Sequence, residues 1–434
     1  MRQIHTTSFA SERRGPVDGF LLIAVLSLAG TLFNPAAAAT ICVNTRGDGG
    51  CMSSIQAAVN AAAPNDAIRV APGKYAETVL IGKPLSLIGA GASSTIIDAN
   101  GQDTGVNVDG LDHSGLADVS ISGFTVENAK FEGIVITNAS GVTVSGNRVV
   151  HNNANLGAGV CPGLPNWETL EGFDCGEGIH LSGVDHSTIA NNAVSDNAGG
   201  ILLSDDTGAT HDNLITGNTV RNNPYDCGIT LASHPPAPVT GATAAFGVFH
   251  NTIADNESSG NGVAIEGAGA GVGIFASAPG TQSYGNVVVH NRLTGNGLPG
   301  VTLHSHTPGQ NLRDNAILGN FIAGNGADTE DAATPGTTGI NVFGVSAASG
   351  TLISQNVIKR EQIGIAANTP AQVDAHLNDL EVHGLGVDNL GDGTVQATQN
   401  WWGCSGGPGA NGCSGVDGGG VITAPALTRP FHSH

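Results

Sequence analysis

The 434 residues carry 36 Asp and Glu against 15 Lys and Arg, a formal charge of −21. Neutralising phosphates takes Lys and Arg, so nucleic acid is excluded as a partner. At 40 % hydrophobic and only 12 % charged residues the chain can bury a core, and 65 glycines imply many tight corners rather than a disordered polymer.

Residues 1–39 read as a secretory signal. Arg2, Arg13 and Arg14 precede an apolar run from Phe20 to Leu32, and Ala36 to Ala39 supply small residues for cleavage. That run is shorter than the roughly 20 residues a spanning helix needs. The expectation is a secreted protein (extracellular, cell-surface or periplasmic) with no stable membrane insertion after cleavage. All seven cysteines lie beyond the signal, which fits an oxidising compartment. Their spacing pairs Cys42 with Cys51, Cys161 with Cys175 and Cys404 with Cys413, leaving Cys227 free.

Residues 40–98 read as an N-terminal cap and first coils. Ile55, Ala58, Val59 and Ala62 fall at helical spacing, with Ser53 or Ser54 before them and Pro64-Asn65-Asp66 after. Short apolar strands follow at 67–70, 79–81, 85–89 and 94–98. Over 99–400 one unit repeats. A glycine-led apolar strand recurs at Gly133, Gly178, Gly200, Gly228, Gly273, Gly300, Gly339 and Gly364, with asparagine-bracketed runs such as Asn192–Asn197 between. Gaps of 22 to 28 residues fall among longer ones, and insertions are expected at 154–177, 234–249, 257–272 and 326–338. A period in the twenties with short strands and no leucine-rich spacing specifies an all-β fold, a single-stranded right-handed parallel β-helix solenoid with an N-terminal capping helix. Inward Ile, Leu and Val would fill its core and stacked Asn would bond along its axis. Residues 401–434 form the C-terminal cap and tail, with Trp401 and Trp402 sealing the last coil.

From Ser54-Ile55-Gln56-Ala57-Ala58-Val59 through Pro72-Gly73-Lys74-Tyr75-Ala76-Glu77 to the repeats, the chain resembles the pectate-lyase-like right-handed β-helix superfamily. It is most similar to secreted NosD-like proteins of the carbohydrate-binding and sugar-hydrolase repeat group. The resemblance implies a polysaccharide or glycan partner. It brings no catalytic assignment, because the Gln, paired-Asp and Leu-Gly-Arg-Pro-Trp motifs of pectin methylesterases are missing, as are the Gly-His-Gly and Arg-Ile-Lys motifs of polygalacturonases.

Aligning the strands sets Asp205-Asp206 one turn from Ser233-His234, with His180 on the preceding strand and His211-Asp212 between turns. Paired carboxylates can split their pKa values into an acid and a base, and histidine can take protons, so Asp205, Asp206, His180, His211, Asp212 and His234 are the candidate catalytic residues. Trp167, Glu168, Glu171, Tyr225, His304 and His306 are the candidate substrate-binding residues, tryptophan for its flat apolar face. The acids around Trp167 are suited to hold Ca²⁺, although no complete metal-ligand motif stands in the sequence. Two functions follow: a secreted lyase, hydrolase or epimerase acting on polysaccharide, or a non-catalytic surface or matrix protein with glycan-binding loops.

Overall fold

A computed structural model describes residues 38–153, 163–169, 176–329, 333–346 and 348–432. Residues 1–37 of the expected signal and the Cys161–Cys175 bridge lie outside the described residues.

The chain winds as a parallel β-helix. Each coil gives one strand to a twelve-stranded sheet, one to a fourteen-stranded sheet and one to an eleven-stranded sheet, and all neighbours pair in parallel. Along the twelve-stranded sheet the register is continuous: Ile134 pairs with Ile179, Ile201, Ile229, Val272, Val301 and Ile340 in succession. Strand alternation turns those residues, and the Ile136, Leu181, Leu203, Leu231, Ile274, Leu303 and Val342 column, into the core, where they are buried. The intervening residues point out, so His180, Ser204, Thr230 and His304 stand on one outer face.

Three asparagine ladders hold the corners. One runs Asn147, Asn192, Asn218, Asn256, Asn291, Asn320, Asn356, Asn378, Asn400, each Nδ2 donating to the next Oδ1. A second, from Asn152 to Asn325, ends on the buried carboxylate of Glu361, which accepts from the backbone and side chain of Asn325. The third links Asn213, Asn251, Asn286 and Asn315. Buried amides and carbonyls at a corner need partners, and Asn supplies both functions at a spacing that matches the coil rise.

Both ends are closed. Ser54 caps the helix Ile55–Ala61, and Glu77 accepts from the Ile55 and Gln56 amides, while Ile55, Ala58 and Val59 cover the first coil. At the other end the tail adds strands Gly415–Asp417 and Val421–Ile422 to the two larger sheets, and the Trp402 indole is buried where a Cβ on Gly386 would meet it at 2.7 Å. Disulfides Cys42–Cys51 and Cys404–Cys413 sit at these ends, and Cys227 is free and buried. The insertion expected at 257–272 starts later than the sequence suggests: Glu257–Ser259 is a regular strand paired on both sides. A small sheet of Thr210–His211, Val248–Phe249 and Ser283–Tyr284 is added beside the three long ones.

Candidate functional site

The outer face of the twelve-stranded sheet carries two adjoining groups of polar side chains. Glu132 and Glu177 each sit two residues before a paired strand start, Ile134 and Ile179, so they occupy equivalent places on successive coils. Glu168 reaches the same spot from the inserted segment and His180 rises from the strand Ile179–Ser182. One ligand atom from each of the four lies within 4.8 Å of the others. All four side chains are buried. Burial raises the Glu132 carboxyl to about 7 and lowers His180 to about 4. His180 Nε2 bonds the Ser204 hydroxyl at 2.9 Å, and its Nδ1 lies 3.6 Å from Glu168 Oε1. The Trp167 ring stands 5.8 Å from the His180 ring, tilted 49° to it.

Beside it, Asp206 and His234 form a buried pair at 3.2 Å, as the strand alignment anticipates, and Thr169 donates to the same carboxylate by backbone and hydroxyl. Burial alone would raise Asp206. The nearby His234 and the hydrogen bonds from His234, Ser204 and Thr169 outweigh it and hold the carboxyl well below the usual range. Asp205 faces the other way. It accepts from the His234 amide at 2.7 Å, the Gly247 amide at 2.5 Å and the Ser233 hydroxyl at 3.0 Å, and burial lifts it to about 6. That carboxylate anchors two chain segments.

A crevice of about 620 Å³ opens further along the face. Tyr225, Asp226, Thr230, Phe275, His304, His306 and Asp328 line it, with Glu266 at the rim. Within it, His304 Nε2 lies 2.6 Å from Asp328 Oδ2, and His304 Nδ1 lies 2.7 Å from His306 Nε2. Thr302 and Asn341 donate to the same Asp328 oxygen. His304 Nε2 and that carboxylate are in ion-pair contact without an aligned hydrogen bond, and His304 Nδ1 and His306 Nε2 share one proton between them. Cluster and crevice adjoin: a Cβ on Gly199 would be 3.2 Å from both Glu177 Oε1 and Asp226 Oδ2.

The structure thus gathers Tyr225, His304 and His306 in the crevice and Trp167, Glu168, His180, Asp206 and His234 beside it. His211 and Asp212 pair with each other at 2.8 Å on the added small sheet, where His211 stacks on Phe249 and Phe249 on Tyr284; they do not line the crevice. Glu171 lies outside the described residues. Sequence reasoning did not single out Glu132 or Asp328. Glu132 had a signal, since Glu-Gly-Ile recurs at 132–134 and 177–179; Asp328 stands on an insertion with no repeat register and had none.

A family model described as a right handed beta helix region matches residues 89–275. A search of curated protein sequences returned no match. Among solved structures the chain is similar to a DFA-IIIase from Arthrobacter chlorophenolicus A6 in complex with GF2, at 13 % identity, covering 91 % of this chain and 99 % of that one with a TM-score of 0.58. A mannuronan C-5 epimerase A-module from Azotobacter vinelandii matches at 16 % identity over 82 % and 97 %, TM-score 0.49. An alginate lyase from Paenibacillus sp. matches at 13 % over 88 % and 99 %, TM-score 0.43. Parallel coils, three sheets, family model and structural likeness agree: the chain is a right-handed parallel β-helix protein.

Proposed function

We propose that the protein is a secreted enzyme that hydrolyses a neutral polysaccharide in the crevice over the twelve-stranded sheet. The observation that carries this reading is the Asp328–His304–His306 chain of contacts ending in that crevice. His306 serves as base, since the two inner groups orient its ring and stabilise the charge it gains. Asp226 serves as acid. His306 takes a proton from the water whose oxygen bonds the anomeric carbon, and Asp226 gives one to the departing glycosidic oxygen as that bond breaks. Phe275 and Tyr225 offer apolar ring surface to a sugar.

Charge decides between neutral and uronate glycans. Among the described residues the crevice is lined by Asp226, Glu266 and Asp328 and by no Lys or Arg, so an anionic sugar would meet like charge without a partner there. Support for carbohydrate comes also from the shared fold of the DFA-IIIase solved with GF2, an analogy of fold only. Secretion rests on the N-terminal sequence, and no helix among the described residues is long and apolar enough to cross a membrane.

The test is release of reducing ends by residues 40–434 on panels of neutral and uronate polysaccharides. His306→Ala and Asp226→Asn should each lower kcat on a neutral glycan by about 10²-fold or more. Unsaturated ends from a uronate polymer would replace hydrolysis with elimination. Binding without turnover would leave a glycan-binding protein and refute the enzyme.

A further inference from the structure

Three carboxylates and an imidazole packed within 4.8 Å, out of water, need a counter-charge. Glu132 and Glu177 repeat on adjacent coils about 4.8 Å apart, so their like charges face each other. Both Glu132 side-chain oxygens are buried and accept no hydrogen bond, and the same holds for His180 Nδ1. With Nε2–H donating to Ser204, that Nδ1 presents a bare lone pair to Glu168 Oε1 at 3.6 Å. Lone pairs converging on one point in a dry site repel unless a cation stands between them, and a proton shared by Glu132 and Glu168 would relieve only that pair.

We propose that Glu132, Glu168, Glu177 and His180 bind one first-row divalent metal ion, Zn²⁺ or Mn²⁺ in class. One imidazole with three carboxylates suits those ions. Ca²⁺, expected from the acids near Trp167, takes six to eight oxygens and gains nothing from the nitrogen. Ser204 is the positioning residue: its bond to Nε2 fixes the tautomer and turns the ring, as outer-shell partners of metal-bound histidine do. Two ligands come from the coil corners, one from the strand and one from the inserted segment. The ion therefore ties the Trp167 segment to the sheet next to the crevice. Nothing in this depends on the crevice chemistry.

The experiment is metal analysis of full-length mature protein purified without chelator, followed by calorimetric titration of the chelated protein with Zn²⁺, Mn²⁺ and Ca²⁺. One Zn²⁺ or Mn²⁺ per chain is expected, with Ca²⁺ at least about tenfold weaker. Ser204→Ala should weaken binding about 10- to 100-fold. Glu132→Gln should abolish it and also abolish the metal-dependent rise in melting temperature. That variant distinguishes the two cases even when folding is affected. If no ion binds, removing a buried charge makes Glu132→Gln melt higher than the parent, and the parent's melting temperature ignores metal. Either that outcome or a stoichiometry near zero overturns the proposal.

Discussion

Asn256→Ala tests the corner ladders at their middle. The Asn256 side chain accepts from the Asn218 amide at 2.9 Å and the Asn218 Nδ2 at 3.0 Å. It donates to the Ile215 carbonyl at 2.9 Å and to Asn291 Oδ1 at 2.9 Å. All of these atoms are inside, so alanine leaves four bonds unmade and water has no easy way in. At about 1 kcal/mol per bond the loss is about 4 kcal/mol. A long repeat array need not unfold in one step, so a global melt is the wrong readout. Hydrogen exchange followed by mass spectrometry over residues 214–221 measures the local opening directly. Four kcal/mol corresponds to roughly 10³-fold faster exchange there, with residues 372–376, several coils away, changing far less. Exchange over 214–221 within about tenfold of the parent would refute the view that the ladder bonds hold the corner.

The consecutive aspartates should carry opposite pH signatures. Asp206 is held below its ordinary value, so its stabilisation is present above about pH 4 and lost as pH falls below that. Asp205 is raised to about 6, so its contribution is present below about pH 4 and lost as pH rises through 6. Melting temperature against pH should lose its acid limb in Asp206→Asn and its limb between pH 4 and 6 in Asp205→Asn. In Gly228→Ala the new methyl would lie 1.9 Å from Ser258 Oγ and 2.7 Å from Asn261 Nδ2, so the coil must shift; overpacking of this kind costs about 1–3 kcal/mol, read as a lower melting temperature. Cys227 is buried and burial pushes its thiol well above the ordinary range, so iodoacetamide at pH 8 should leave the Cys227 peptide unlabelled until the protein is denatured.

The fold was legible because a β-helix repeats its requirements. A glycine at each strand start and an asparagine at each corner recur whatever the insertions do between them, and the register of Asp206 with His234 followed from counting along those strands. The site was less legible because its members come from places with different rules. Glu132 precedes a regular strand and could have been found by comparing coils. Asp328 and Glu168 stand on insertions, whose path the repeat does not set. Asp205 has the residue type of an acid catalyst, yet three donors consume its carboxylate, which only the loop geometry reveals. His211 and Asp212 share a coil with the candidate face but turn onto the added small sheet. The signals for fold are periodic, and those for chemistry are convergent.

The most direct test of the central claim is a crystal structure of the Asp226→Asn protein with a neutral oligosaccharide bound. The expected result is a sugar in the crevice, a glycosidic oxygen within hydrogen-bond distance of residue 226 and a water or hydroxyl bonded to His306 across the same anomeric carbon. A sugar seated instead along the His211, Phe249 and Tyr284 stack, with the crevice empty, would contradict it.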